Sequence, residues 1–281
     1  MKIIENPQEM QSFIKEQKRA GKTVGFVPTM GYLHQGHLSL VERAKRENDL
    51  VVVSIFVNPT QFGQGEDFDI YPRDFERDKN LLAKLNIDVL FYPSVEDIYP
   101  SNYKTYVEVY DITDKLCGAS RPGHFKGVTT IVTKLFNMVL PDRAYFGLKD
   151  AQQVLVIKQM VKDLNFPIEI VPCPIVREED GLAMSSRNVN LKPHEREAAL
   201  VLSKSLFAAQ KLILDGERDG DKIKKFIAEN ISKEPLANID YVKVVSAENL
   251  EEVKEIEGEI LIALAVKIGK VRLIDNIMVE V

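Results

Sequence analysis

The chain has 281 residues, more than one domain usually holds, so two domains are expected. A hydrophobic share of 45% and a charged share of 28% describe an ordinary globular protein with a sizeable core. A net charge of −5 gives no reason to expect nucleic acid or an anionic membrane as a partner. No apolar run reaches the length of a membrane span, and the N-terminal residues lack the apolar core of a secretion signal, so a cytoplasmic location is expected. Cys117 and Cys173 lie far apart and outside any C-x-x-C pattern, and are expected as free thiols.

Residues 7–20 read as a helix, with Pro7 near its start and Gly21 after its end. The apolar run 23–27 reads as a buried strand. It leads through Pro28-Thr29-Met30-Gly31-Tyr32-Leu33-His34-Gln35-Gly36-His37 into an amphipathic helix with Leu38, Val41 and Ala44 on one side. Residues 50–57 are almost unbroken apolar and β-branched, as in a parallel strand buried on both faces. That run ends in Asn58-Pro59-Thr60-Gln61. A helix over about 74–86 and a strand over 88–92 follow, giving the alternation of βαβ units. Residues 118–125 contain two glycines and a proline and read as irregular. A helix over 126–139, a short strand over 143–146, a helix carrying Gln152 and Gln153, and a strand over 168–172 complete this half. Beyond about 177 the pattern becomes two helices, near 193–215 and 221–232, then strands over 239–245, 260–268 and 271–281, the last two forming a hairpin. The expected fold class is α/β: a Rossmann-like doubly wound parallel sheet over 1–176, followed by a smaller α+β domain over 177–281.

Polar clusters fall at or just after the carboxyl ends of the expected strands, where an open α/β sheet binds ligands. The first is the turn at 30–37. It holds two of the four histidines, His34 and His37, spaced to share one face of a helix start. Gly31 and Gly36 allow close backbone approach, and the helix end offers N–H groups to phosphate. Asn58, Gln61 and Gln153 carry amides suited to a substrate with a carboxylate and hydroxyls, although such residues are also common in loops. Lys149 can hold phosphate and Asp150 a ribose hydroxyl, or the two can be a solvated pair at a helix start. Ser185-Ser186-Arg187 combines two hydroxyls with a guanidinium, as phosphate binding or a polar linker would. Arg121-Pro122-Gly123-His124 suits a cap on the substrate pocket or a loop-shaping corner, with the structural role slightly favoured; His194 reads as a surface residue, and Tyr71 as structural more than as packed on ligand.

Taken in order, these segments resemble the pantoate–β-alanine ligase family of the H-x-G-H nucleotidyltransferase-like superfamily. The match rests on Pro28–Gly31 running into His34-Gln35-Gly36-His37, on Ser54–Phe62, Tyr71-Pro72-Arg73, Arg121–Phe125, Gly147–Asp150 with Gln153, and Met184–Asn188. The resemblance implies ATP-dependent adenylation of pantoate with loss of pyrophosphate, then attack by β-alanine to give pantothenate and AMP. It implies that His34, His37 and Lys149 are catalytic. It assigns ATP to Met30, Gly31, Tyr32, Leu33, His34, Gln35, Gly36, His37, Gly147, Leu148, Lys149, Asp150, Val176, Met184, Ser185, Ser186 and Arg187. Pantoate and β-alanine fall to Gln61, Gln153 and Asn58. Mg²⁺ is expected with ATP, and Asp78 is a metal candidate because some relatives carry two adjacent acids where this chain has Glu76-Arg77-Asp78. Leu148 is a second departure, standing where many relatives carry Glu. A homodimer is also implied. Two other readings stay open on the residues: a transferase that moves AMP to a phosphorylated substrate and stops, and a non-catalytic nucleotide-binding module.

Overall fold

Six short apolar segments become one parallel sheet. In the computed structural model, which describes residues 1–281, they are β1 (Lys2–Ile4), β2 (Val24–Thr29), β3 (Leu50–Ile55), β4 (Val89–Phe91), β5 (Arg143–Gly147) and β6 (Glu169–Cys173). The order is β1-β4-β3-β2-β5-β6, with every pairing parallel. All six residues of β3 are buried, which is why that run carries no polar alternation. Side chains alternate across the sheet. Val27, Val53 and Tyr145 join a core with Leu40, Val41 and Ala44 of α2 (Gln35–Glu47) and Leu82 of α3 (Phe75–Lys84). Phe26 and Phe146 instead meet Phe136 edge to face, at centroid distances of 6.4 and 6.5 Å.

The chain divides into two compact units. The first comprises Met1–Tyr110, Arg121–Leu148 and Gln153–Pro174, and the second Asp111–Ser120, Lys149–Gln152 and Ile175–Val281. The first unit also contains α1 (Pro7–Arg19), whose start is capped by the Asn6 side chain, and the single-turn α4 (Val95–Ile98). Its long α6 (His124–Val139) and most of α7 (Ala151–Asp163) complete the layers. β2 lies between β3 and β5, so the chain order reverses at β2 and β5, the place where this class of sheet binds ligands.

The second unit is built on an antiparallel sheet of β7 (Ala237–Ser246), β8 (Glu259–Ile268) and β9 (Val271–Glu280), in the order β7-β8-β9. Leu202, Leu206 and Ile213 of α9 (Leu200–Leu214) and Ile223, Ile227 and Ile231 of α10 (Gly220–Ile231) pack with Ile262, Leu264 and Val266.

One strand goes beyond the expected elements and two expectations are corrected. No local pattern announces β1, because three residues are too few for one; it forms by pairing with β4. The single helix expected over 193–215 is two, α8 (Pro193–Ala198) and α9, because the Leu202 N–H reaches back only three residues to the Ala199 carbonyl. Residues 118–125 are not wholly irregular. Gly118–Ser120 finish α5 (Leu116–Ser120), and His124 opens α6 after Gly123 at φ 82°. Gln152 overrides the local propensity. Its carbonyl accepts from the Cys117 N–H at 2.9 Å, and its amide donates to the Ile112 and Lys115 carbonyls at 2.8 and 2.7 Å. No helix is long and apolar enough to cross a membrane.

Candidate active site

β2 delivers the chain into the turn at 30–37. Gly31 and Tyr32 both take left-handed backbone, at φ 79° and 49°. A Cβ at Gly31 would press on Ile55 and Asp78, so glycine is required there for conformation and for space. His34 is the N-cap of α2. Its Nδ1 accepts from the Gly36 N–H at 3.1 Å, and the His37 Nδ1 accepts from the His34 N–H at 3.3 Å. This reciprocal cap fixes the two rings 4.0 Å apart by centroid. With both Nδ1 atoms accepting, each neutral ring carries its proton on Nε2, as a donor suited to an anion.

Asp78 has an occupation other than metal binding. It is 1% exposed. Its Oδ2 accepts from the Tyr32 N–H at 2.6 Å, and its Oδ1 from the Leu33 N–H at 2.8 Å and the Arg77 guanidinium at 3.1 Å. Arg77 also donates to the Leu33 carbonyl at 2.8 Å and lies over the Tyr32 ring. The pair clamps the left-handed part of the turn. Burial pushes the Asp78 carboxyl up, opposed by the Leu33 and Tyr32 N–H groups and by Arg77. No group of three or more His, Cys, Asp or Glu side chains is placed to hold a metal ion.

The 58–61 segment is a single 3₁₀ turn, Pro59–Gln61, capped by Asn58. Asn58 is 1% exposed, and both ends of its amide are used inside the protein. Its oxygen accepts from the Thr60 hydroxyl at 3.0 Å and the Tyr99 hydroxyl at 2.8 Å, and its NH₂ donates to Gln61 Oε1 at 3.0 Å and the Gly127 carbonyl at 3.1 Å. The expected substrate amide at 58 is thus a buried brace, and burial lifts the Tyr99 hydroxyl bonded to it to about 12. Gln61 also donates to Met30 Sδ at 3.2 Å, which leaves one amide hydrogen and one oxygen lone pair for a ligand. Gln153 lies on the first turn of α7 and is half-buried.

Leu148–Asp150 forms a 3₁₀ turn directly after β5. Within the second unit, Lys149 Nζ lies 3.8 Å from Asp150, and the Lys149 carbonyl accepts from the Asn276 amide at 2.9 Å. The neighbouring Asp275, 2% exposed, is gripped by Arg177 through two hydrogen bonds of 2.7 and 2.9 Å. Arg177 begins a tight hairpin closed by Met184 N–H donating to the Val176 carbonyl at 3.0 Å. The hairpin delivers Ser185-Ser186-Arg187. Ser185 Oγ caps the following turn by accepting from the Arg187 N–H at 3.2 Å, and Ser186 is buried. Asn188 ties this loop to Glu178 and the Ala183 carbonyl, each at 3.1 Å. Asn188 stands in one of the matching segments with no task expected of it, and neither Asn276 nor Arg177 carries any local signal. His194 is exposed and Tyr71 is buried, as expected for a surface and a structural residue, and both cysteines are free.

With that geometry in place, comparison with known proteins is decisive. Residues 2–278 match the family model described as pantoate-beta-alanine ligase. The chain belongs to the pantoate–β-alanine ligase family. The family forms an amide bond by ligation. The chain is 62% identical over 281 residues to the pantothenate synthetase of Acetivibrio thermocellus, covering 100% of each chain. It is 59% identical over 276 residues to that of Thermotoga petrophila, covering 98% of this chain and 99% of the relative. Among solved structures, the pantothenate synthetase of Thermus thermophilus superposes with a TM-score of 0.94 at 46% identity, covering 99% of each chain. The pantoate-beta-alanine ligase of Francisella tularensis, complexed with beta-gamma ATP and beta-alanine, superposes at 0.81 with 39% identity, covering 99% of this chain and 97% of that one.

Proposed function

We propose that this chain condenses pantoate with β-alanine at the expense of ATP, through a pantoyl adenylate, releasing pyrophosphate and AMP. The observation that carries the reading is the reciprocal His34–His37 cap at the end of β2, in a chain of this family. A carboxylate is a poor electrophile, and adenylation supplies AMP as a leaving group. The pantoate carboxylate is already ionised at neutral pH, so attack at the α-phosphorus needs alignment more than a base. The Nε2–H groups of His34 and His37 stabilise the negative charge that builds on the phosphate, and Lys149 adds a compact positive charge. Met30–Leu33, Gln35, Gly36, Gly147, Leu148 and the backbone of Val176 and Met184 hold the nucleotide. Asp150 takes the ribose, while Ser185, Ser186 and Arg187 hold the β- and γ-phosphates until pyrophosphate leaves. Gln61 and Gln153 bind pantoate, and Gln61 then meets β-alanine.

Mg²⁺ would enter with ATP and offset part of the phosphate charge that His34, His37, Lys149 and Arg187 are proposed to meet. The division proposed is an ATP- and pantoate-binding domain over 1–176 and a smaller α+β domain over 177–281, with the difference that Asp111–Ser120 and Lys149–Gln152 belong to the second compact unit; the chain is proposed to act as a cytoplasmic homodimer. The test is pantoate-dependent ATP–pyrophosphate exchange, with Mg²⁺ and without β-alanine. Exchange that requires pantoate supports the adenylate. ATP binding without such exchange refutes a free-standing first step.

A further inference from the structure

We infer that Arg121 and His124 are positioning residues for Gln61, acting through its main-chain carbonyl. The inference rests on the reading that Gln61 binds pantoate. The backbone of the turn that carries Gln61 is weakly held by its own hydrogen bonds, and Asn58 braces side chains within it. Its two backbone bonds are long, Gln61 N–H to the Asn58 carbonyl at 3.4 Å and Phe62 N–H to the Pro59 carbonyl at 3.3 Å. Gly63 and Gly65 follow within four residues, Gly65 at φ 80°.

The missing restraint comes from the Arg121-Pro122-Gly123-His124 corner. The Gln61 carbonyl accepts from His124 Nδ1 at 2.8 Å and from Arg121 Nη2 at 3.3 Å. Arg121 Nη1 donates to His124 Nε2 at 3.1 Å, and Arg121 Nε and Nη2 donate to the two Glu66 oxygens at 2.7 and 2.5 Å. A ring nitrogen that accepts from a guanidinium must be unprotonated, so these partners assign His124 as the neutral Nδ1–H tautomer. Four of the five guanidinium N–H groups are committed to protein atoms, and the side chain is 15% exposed. That leaves Arg121 poorly equipped to bind a carboxylate itself and well equipped to fix a carbonyl. One turn into α6, the Gly127 carbonyl accepts from Asn58, so the same helix start holds both ends of the turn.

Two mechanisms separate cleanly here. If Arg121 only latched the 62–70 segment through Glu66, removing the Glu66 charge would cost as much as removing Arg121. Positioning through the carbonyl makes Glu66 dispensable. The experiment measures kcat and pantoate KM for Arg121→Ala, His124→Ala, His124→Asn and Glu66→Gln. The Arg121 and His124 changes are also made on Gln61→Ala, and amide hydrogen exchange over 58–66 is followed in parallel. Arg121→Ala and His124→Ala should raise pantoate KM by about tenfold or more, with ATP KM within about twofold. Glu66→Gln should change pantoate KM by less than about threefold. His124→Asn keeps a donor near the Nδ1 position and should recover part of the loss. On Gln61→Ala, the added Arg121→Ala should cost less than about threefold, because its route is already gone. Additive losses, equal losses in ATP and pantoate KM, or an effect of Glu66→Gln as large as that of Arg121→Ala would overturn the inference. If the wild type shows no pantoate-dependent activity, the functional reading falls. Exchange still decides the positioning: Arg121→Ala must speed it over 58–66, and unchanged protection there refutes the restraint.

Discussion

Replacing Asp78 with Asn separates a turn clamp from a metal ligand. Asparagine keeps the shape but offers one oxygen and an NH₂. One of the two backbone N–H groups now accepted at 2.6 and 2.8 Å would then face another donor, at a side chain only 1% exposed. Leaving one buried donor unsatisfied costs about 1–3 kcal/mol. The Arg77 ion pair adds little, because the Arg77 side chain is 40% exposed. Against the loss, asparagine no longer buries a charge, and burial is the main influence on the Asp78 carboxyl. The expected net loss is about 1–2 kcal/mol, read as a lower urea midpoint. Tyr32, held at φ 49°, would relax and carry Leu33 and the His34 cap with it. ATP affinity should weaken by about tenfold, the equivalent of about 1.4 kcal/mol. The assay is urea unfolding together with ATP–pyrophosphate exchange titrated separately in ATP and Mg²⁺. The clamp requires lower stability, a raised ATP KM and an unchanged half-saturating Mg²⁺. Wild-type stability with a raised Mg²⁺ requirement would refute the clamp and return Asp78 to the metal.

His34→Asn preserves an N-cap acceptor for the Gly36 N–H, so stability should fall by no more than a few tenths of a kcal/mol while exchange drops on the order of a hundredfold. If rate and stability fell together, the imidazole would be only a cap. His37→Ala and Lys149→Ala should each lower pantoate-dependent exchange on the order of a hundredfold or more, and single-turnover rates near wild type would remove either from the chemistry. At Gly127 a Cβ would overlap the Thr60 carbonyl, which is backbone and cannot swing aside. Gly127→Ala should therefore cost about 1–3 kcal/mol in urea unfolding and raise pantoate KM; unchanged stability would contradict the close approach. Burial works against the Glu66 charge, but the Arg121 hydrogen bonds and charge outweigh it and hold the carboxyl below its usual range. A depressed carboxyl stabilises the fold above its unfolded pKa, about 4.3, and loses that contribution as pH falls through the lower folded value. The Tm advantage of wild type over Glu66→Gln should thus hold at pH 7 and close only below about pH 4; a gap that closes near pH 6 would exclude this carboxyl as its source.

Much of the first sheet was legible because its central strands are mostly apolar, and β3, buried throughout with one serine, is the extreme case. β1 was not, since three residues carry no period and their pairing with β4 lies 87 positions away, from Lys2 to Val89. The α5 helix was hidden for a different reason. Gly118 argues against it locally, and the support is tertiary: the Gln152 amide reaches three backbone groups at and before its start, and Cys117 and Ser120 meet the Tyr241 hydroxyl and the Asp240 carboxylate. At the site, the residues with distinctive chemistry stand where the pattern put them: His34 and His37 at the start of α2, Lys149 just after β5, Arg187 in the turn capped by Ser185. Asn58 misled because its type suits a ligand as well as a brace, and only burial tells the two apart. Asp78 is ambiguous in sequence because an acid beside a nucleotide turn suits a metal as well as two backbone N–H groups.

The Asp78 contacts belong to a pattern that bears on how the site works. The side chains proposed to meet substrate stand on turns whose backbone is poorly self-supporting: left-handed at Gly31 and Tyr32, long-bonded at Gln61, and one turn long at Lys149. Each of these turns is gripped through its main chain by a polar side chain from elsewhere in the sequence. Asp78 takes the N–H groups of Tyr32 and Leu33, Arg121 and His124 take the carbonyl of Gln61, and Asn276 takes the carbonyl of Lys149. A main-chain atom has the same chemistry at every residue, so such a contact leaves no mark at the position it holds. The gripping residue is visible only as an ordinary Asp, Arg, His or Asn. Preorganisation of the ligand-facing groups therefore rests on contacts whose partners cannot be read from the residue types. It follows that substitutions at Asp78, Arg121 and Asn276 should damage substrate binding out of proportion to their distance from any substrate atom.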